Sequence, residues 1–516
     1  MIHVRFVALV VVPALLMTTA AQAQTAAPGT AANPGPSTAL PQQDSPAASV
    51  PPESRAEPEP PSRPVSTAPA VQSVPVLATA APGVQSAWRT KLYGFIEFDA
   101  AHDTTQAYND LGGWGSTALP LAYTYAGSHG RTQFTARNSR LGVFVNAPDY
   151  GGVRSSATLE ADFMGNQPSD AAESALITNG AFRLRVASLL LQTDYVDVLA
   201  GQAWALFGFE PFFLPASPFL LPVPGEVFKR DAQVRVSHTF KSSGVDFEIG
   251  ASANRPPQRD SEVPDIQAGL RLALNGWQGI HTPGTDGQRL VGPSRSPLTI
   301  AVSGAGRRFR TTNFQGTAAG TFPDPRSSDS ATGYGLVADA LIPVIPAASA
   351  EDRGNALTLT GQFSTGTGYA DLLGGLVSNG GGPATPSAAY PAIPNSPDKY
   401  APNIQSGLVT FDNTGNLHTI DWQTFLVGLQ YYLPPSGRVS ISGNFAQAHS
   451  GNVAKWADPG QVSSIYTKTR YFDANLFWDV TPAIRTALSY QYLEQQFAHG
   501  DKAHNVRTEL SAFFFF

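Results

Sequence analysis

The chain has 516 residues, 42% hydrophobic and 14% charged, with 33 Lys and Arg against 39 Asp and Glu and a net charge of −6. A nucleic-acid binder would carry a basic surplus, so that class is excluded. Cysteine is absent, which removes disulfides and thiolate metal sites. Beyond the N-terminus, no stretch approaches the roughly 18 consecutive apolar residues that a spanning helix needs.

Met1 to Ala23 reads as a secretory signal peptide. His3 and Arg5 precede an apolar run from Phe6 to Met17, too short to span, and Ala21-Gln22-Ala23 offers a small-residue cleavage site. Residues 24–87 hold fourteen prolines in sixty-four positions and no Phe, Trp or Tyr. A segment that cannot bury apolar surface is expected to be disordered with polyproline II character, here as a periplasmic linker or as a leader without a partner. The remaining residues, 88–516, carry 30 Lys and Arg against 35 Asp and Glu.

From Trp88 onward, alternating segments recur. The first carries Leu92, Ile96 and Phe98 on one face and Glu97 and Asp99 on the other. The third alternates over eleven residues, with Val153, Ser155, Ala157, Leu159, Ala161 and Phe163 opposed to Arg154, Ser156, Thr158, Glu160 and Asp162. The fourth sends Phe182, Leu184 and Val186 one way and Arg183 and Arg185 the other. The connection from Gly208 to Arg230, rich in Phe, Leu and Pro, is too apolar to lie in water, so it folds into a lumen or packs at a subunit interface. Further strands follow to Phe497, with short turns at Pro148–Gly152, Thr193-Asp194, Pro434–Gly437 and Thr481-Pro482, and the longest loop at about 366–416. The glycines of Gly304-Ala305-Gly306 and Gly366-Thr367-Gly368 read as loop glycines, because they lack the context of a phosphate loop.

The last segment decides between water and lipid. Val506, Thr508, Leu510, Ala512, Phe514 and Phe516 share one face, opposite Asn505, Arg507, Glu509 and Ser511. Four exposed phenylalanines on a free edge invite aggregation in water. A closed transmembrane barrel instead wants apolar residues outward, polar residues inward and aromatics at the interface. The expected fold is therefore all-β, a transmembrane antiparallel β-barrel of about 16 strands with both ends periplasmic, behind a disordered Pro-rich leader. Phe516 on the alternating last strand resembles the signal by which the assembly machinery receives outer-membrane proteins.

Ala136-Arg137-Asn138-Ser139-Arg140-Leu141-Gly142, Ala157–Phe163, Phe182–Ala187 and Gly201-Gln202-Ala203-Trp204 resemble, in order and spacing, the DcaP-like porins; the likeness spans about Lys91 to Phe207. It implies a homotrimer in the Gram-negative outer membrane, among lipid and lipopolysaccharide, passing small anionic solutes such as dicarboxylates. Family members carry a helical, coiled-coil leader, whereas prolines throughout 24–87 forbid a long helix here, leaving trimerisation to the barrel walls.

Arg140, Arg154, Arg183, Arg185, Arg235 and Arg271 fall on the non-lipid faces of their strands. An arginine facing lipid at the midplane costs about 2–4 kcal/mol, so these are expected to line the pore with Glu160 and Asp162. Guanidinium groups stay charged and grip carboxylates bidentately, and Arg140, Arg183 and Arg185 form the expected core of an anion-attracting ladder, set across from Glu160 and Asp162. The alternative is pairing that only neutralises the wall. Arg307, Arg308 and Arg310 are placed near the external mouth, and His238 on a lipid-facing parity beside Phe240. The nine histidines show no metal spacing, and no cofactor or catalytic activity is expected. The functional expectation is passive diffusion through an anion-favouring porin. A general non-selective porin and a non-conducting barrel for adhesion or envelope anchoring stay open beside it.

Overall fold

The computed structural model describes residues 88–107, 118–165, 180–218, 223–258, 261–282, 294–313, 327–347, 349–376, 404–412, 414–457, 459–460 and 462–516. The signal peptide and leader, residues 1–87, lie outside the described residues.

Sixteen strands among the described residues follow one another around a ring. They are β1 (Arg89–Asp103), β2 in two segments (Arg131–Thr135 and Arg140–Asn146), β3 (Arg154–Gly165), β4 (Ala181–Gln192), β5 (Asp197–Trp204) and β6 (Arg230–Lys241). Next come β7 (Val245–Asn254), β8 (Asp265–His281), β9 (Ser294–Thr312), β10 (Ser328–Ile345) and β11 (Leu357–Thr367). The last five are β12 (Asp421–Tyr432), β13 (Val439–His449), β14 (Tyr466–Thr481), β15 (Ile484–Phe497) and β16 (Lys502–Phe515). Each pairs antiparallel with its sequence neighbours, and β16 returns to β1 with Phe95 opposite Phe515 and Asp103 opposite Arg507. Closure leaves no edge strand, which is what a sheet in hydrocarbon requires. Both segments of β2 pair with β1, so they count as one interrupted strand.

Alternation follows the expected sides. Leu92, Ile96, Phe98, Leu159, Phe182, Leu184, Leu510, Phe514 and Phe516 are exposed on the outer wall, while Glu97, Asp99, Glu160, Asp162, Arg507 and Glu509 are buried inward. Phe514 and Phe516 face outward as their parity predicts, and Phe513 and Phe515 turn in and meet the Phe95 ring edge-on at 6.2 and 6.1 Å. One detail differs from the sequence expectation. Val186 is fully buried, because a bulge sets Val186 against Glu160 and Leu184 against Ala161, leaving Arg185 as an extra residue. Such an insertion breaks the two-residue period locally, and outward register resumes at Leu189 and Leu191.

Two long connections fold inside. The chain leaves β5 at Ala205, runs to Pro218, and returns over Val223–Lys229; the second enters at Gly368–Leu376 and leaves over 404–420. Phe207, Val227, Tyr369, Leu372, Leu373, Leu408 and Phe411 from these connections pack with Phe309, Trp422 and Tyr471 of the wall in one apolar cluster. Each such side chain gains about 1.5–3 kcal/mol on leaving water, which explains why a segment so apolar is not left outside. Of the two placements open from sequence, the described residues take the lumen. Gly304–Gly306 lie within β9 and Gly366 within β11, so these are strand residues and not loop glycines.

Candidate functional site

The site forms where the first inward segment leaves the wall. β2 breaks at Ala136–Ser139, with the Ser139 amide donating to the Ala136 carbonyl at 3.1 Å. The break brings Arg137 inward, its Nε donating to the Phe163 carbonyl and its Nη2 to the Gly165 carbonyl, both at 3.1 Å. Arg140 then stands opposite Asp162, and Asp162 opposite Arg183, across three adjacent strands.

Arg183 holds Asp162 through two bonds, Nε to Oδ1 at 2.9 Å and Nη2 to Oδ2 at 2.6 Å. Arg185 bridges both acids, Nε to Glu160 Oε1 at 2.8 Å and Nη1 to Asp162 Oδ2 at 3.0 Å. Arg140 lies over the Phe95 ring at 5.0 Å, its Nε 3.8 Å from Glu160 Oε1. Tyr93 completes the set by donating to Glu160 Oε2 at 3.1 Å. Arg230, at the root of the inward segment, stacks on Trp204 at 4.7 Å and lies within electrostatic reach of Arg140, Arg183 and Arg185.

The arginines and acids are therefore interleaved on one wall and do not oppose each other across the lumen, because neighbouring strands bring the paired positions to within about 5 Å. Further carboxylates continue along β1 and β16, at Glu97, Asp99 and Glu509, where Arg507 pairs with Asp103 at 2.8 Å. Of the three arginines expected to form the ladder, Arg140 and Arg185 side chains are 2% and 0% exposed, and that of Arg183 is 35% exposed. Arg183 is the one that open space reaches.

The remaining expected residues spread along the wall. Arg154 is exposed at the turn-proximal end of β3, opposite Gln192. Arg235 donates to Gln233 Oε1 at 3.1 Å and to the Trp204 carbonyl, propping the root of the inward segment. Arg271 pairs with Glu248, Nε to Oε2 at 2.8 Å, and stacks on Phe212 at 4.1 Å. Arg307 is buried and pairs with Asp265 at 2.6 Å and with Asp371 of the second inward segment, while Arg308 is exposed and Arg310 meets Glu262. Sequence parity has no handle on Arg137 or Arg230, since each sits at a strand break or strand end where the two-residue period stops.

The first inward segment crosses the barrel. The Phe207 amide donates to Gln267 Oε1 at 3.0 Å and the Gly208 amide to Ser303 Oγ at 2.9 Å. At the far end the Ala216 carbonyl accepts from Ser442 Oγ at 2.8 Å, Asn444 Nδ2 at 2.9 Å and Asn475 Nδ2 at 3.3 Å. On the return limb the Val227 amide donates to Gln362 Oε1 at 2.6 Å, and Lys229 reaches Asp371 at 3.3 Å. Burial pushes the carboxyl of Glu210 well up, helped by nearby Glu226 and Asp339, and pushes Glu226 up to about 8. Asp371 is also buried, yet Arg307 and Lys229 outweigh that and hold its carboxyl below the usual range. Among the described residues no group of three or more His, Asp or Glu side chains is placed to hold a metal ion.

No protein-family model matches the chain, and no curated protein matches it. Solved structures do. The outer membrane channel DcaP of Acinetobacter baumannii superposes with a TM-score of 0.55 at 16% identity, over 83% of this chain and 97% of that one. The fold is that of DcaP. An anion-selective porin from Comamonas acidovorans and the trimer form of OmpT, an outer membrane protein of Vibrio cholerae, follow at TM-scores of 0.44 and 0.43, each 10% identical, over 83% of this chain and all of theirs. In this DcaP-like barrel β5 and β6 flank the exit of the inward segment, with Arg230 on β6 and Arg183 and Arg185 on β4 beside β5.

Proposed function

We propose that this protein is an outer-membrane porin, a homotrimer whose water-filled lumen passes small hydrophilic solutes and favours anions such as dicarboxylates. The leader extends in the periplasm, and Phe516 is read by the assembly machinery. One observation carries the reading: in a barrel with the DcaP fold, Arg140, Arg183, Arg185 and Arg230 stand together on the inner wall at the root of the inward segment. Passive diffusion needs no cofactor, only charges that make entry favourable without trapping the solute. Interleaved acids serve that requirement. An incoming carboxylate competes with Asp162 for the Arg183 fork, so the guanidinium attracts the solute and its own partner then displaces it. Arg154 and Arg271 extend the basic lining along the diffusion path.

The deep packing of both inward segments favours a second reading, a non-conducting barrel for anchoring or adhesion. Single-channel recording in planar bilayers separates the two. Steps in groups of three support the porin, and silence supports the anchor. A reversal potential of anionic sign in a salt gradient supports the preference, and a value near zero indicates a general porin.

A further inference from the structure

The seam where β16 returns to β1 holds more negative charge than the arginines beside it answer. Glu97, Asp99 and Asp103 project inward from β1, and Arg507 and Glu509 from β16, with Asp99 opposite Ser511 and Asp103 opposite Arg507. The acids are deeply buried, Glu97 and Asp103 at 0% and Asp99 and Glu509 at 2% exposure. Asp103 takes the Arg507 guanidinium through two bonds, Nε to Oδ1 and Nη2 to Oδ2, both at 2.8 Å. Arg140 lies on the other side, within electrostatic reach of Glu97, and also serves Glu160. Four acids thus face two arginines, an excess of two negative charges in a wall where unanswered charge is costly.

That excess meets a small cavity. Asp99, Glu509, Asn138, Gln133 and Thr135 line it together with Ala101 and Arg507, between the seam and the break in β2. Its volume of about 10 Å³ is room for one water-sized body. Asn138 is 5% exposed and donates through Nδ2 to Asp99 Oδ2 at 3.3 Å, while its own Oδ1 accepts no hydrogen bond. Asp99 Oδ1 and Glu509 Oε2 are buried and accept none either. A buried acceptor without a partner costs free energy. Three of them on residues that share one cavity call for a positive occupant.

We propose that this cavity binds a calcium ion, held by Asp99 and Glu509 and completed by the side-chain oxygens of Asn138, Gln133 and Thr135. Two carboxylates match both the divalent charge and the local excess. The set holds two acids and not three, so amide and hydroxyl oxygens supply the rest. All the donors are oxygen, which selects a hard cation. Calcium takes six or more oxygens in flexible geometry, with a carboxylate binding through one oxygen or both, whereas magnesium demands a near-ideal octahedron and gives up water reluctantly. The donors come from β1, β16 and both sides of the break in β2, so the ion fastens barrel closure to the segment that carries Arg137 and Arg140. The site needs the closed barrel and is independent of what the lumen passes.

The test uses the full chain in detergent after EDTA treatment, titrated with calcium and with magnesium by calorimetry, and followed by the midpoint of its heat-dependent mobility shift. Calcium is expected to bind the wild type and raise the midpoint, and magnesium to bind at least about tenfold more weakly. Asp99→Asn/Glu509→Gln removes both charges and nearly preserves shape. In EDTA this variant is expected to match or exceed the wild-type midpoint, because the repulsion is gone, and to lose the response to calcium. Asn138→Leu keeps both acids and is expected to weaken calcium about tenfold, which decides the matter should the double variant not refold. Wild-type protein that binds no calcium, or binds it without a change in midpoint, overturns the inference. So does a full calcium response in the double variant, or unchanged affinity in Asn138→Leu. A midpoint indifferent to calcium that falls with rising pH shows the two carboxylates sharing protons, and overturns it as well.

Discussion

Arg183 and Asp162 form a two-point pair, at 2.9 and 2.6 Å, with the arginine side chain 35% exposed and the aspartate fully buried. The accessible partner is the cation, so the pair presents positive charge to the lumen and keeps its negative charge behind. Arg183→Ser is expected to move the reversal potential toward zero and to cost less stability than loss of Arg185, because the buried Asp162 keeps Arg185 Nη1 at 3.0 Å. Arg185→Ser is expected to act on stability instead. It is fully buried between Glu160 and Asp162, and breaking such a pair costs about 3–5 kcal/mol. Bilayer recordings and thermal unfolding in detergent, run on both variants, check the division; an unchanged reversal potential in Arg183→Ser refutes the pore role of this arginine.

Glu210 and Glu226 predict a pH dependence of the inward segment. Facing them are Asp339, Asp473 and each other, along with the Gln362 amide, which donates to Glu210 Oε1 at 3.4 Å. The docked pKa of Glu226, about 8, lies above its ordinary value. The docked state therefore binds more protons than the undocked one between those values, and docking weakens as pH rises through that window. Conductance noise and backbone hydrogen exchange over 206–218 and 223–229 are expected to increase from pH 5 to pH 8.5. Glu226→Gln, neutral throughout, is expected to flatten the rise.

Much of the fold is legible in the sequence because the strand period is two and the solvents on the two faces differ. Val153 to Phe163 and Asn505 to Phe516 declare their faces residue by residue, and the alternation of long with short connections returns both barrel ends to one side. The site is legible only in part. That Arg140, Arg183 and Arg185 point inward follows from parity; that each meets Glu160 or Asp162 depends on cross-strand register, which one strand does not encode. Val186 departs from its parity because the bulge at Arg185 leaves no mark in a pattern that stays apolar on either side. The second inward segment has a signal, since Leu372, Leu373 and Leu376 stand at the start of an otherwise small and polar excursion.

The tip of the first inward segment rests on one acceptor. Ser442, Asn444 and Asn475 converge on the Ala216 carbonyl, and each neutral bond contributes about 0.5–1.5 kcal/mol. Replacing Asn444 and Asn475 by Leu removes two of the three and is expected to undock the tip without opening the barrel. Flickering current with an unchanged strand signal by circular dichroism is the expected outcome. Quiet channels of wild-type conductance show that the apolar contacts of Phe209, Phe213 and Ala216 suffice.

Barrel closure involves Phe516, and its proposed recognition by the assembly machinery can be tested apart from closure. The Gly94 amide donates to the Phe516 carbonyl at 3.0 Å, and the Phe516 amide returns the bond at 3.1 Å. A Cβ on Gly94 would lie 2.2 Å from the Arg140 carbonyl oxygen and 2.9 Å from the Phe516 ring, so Gly94→Ala has to part β1 from β2 and displace the Phe516 ring beside the β1–β16 seam. That substitution is expected to lower both refolding yield in detergent and insertion in cells, read as the heat-sensitive mobility shift of a closed barrel. Phe516→Ala keeps both backbone bonds and loses only the ring. If the ring is the recognition element, Phe516→Ala refolds in detergent like wild type and fails to accumulate in the outer membrane. Equal losses in the two assays assign Phe516 to closure alone.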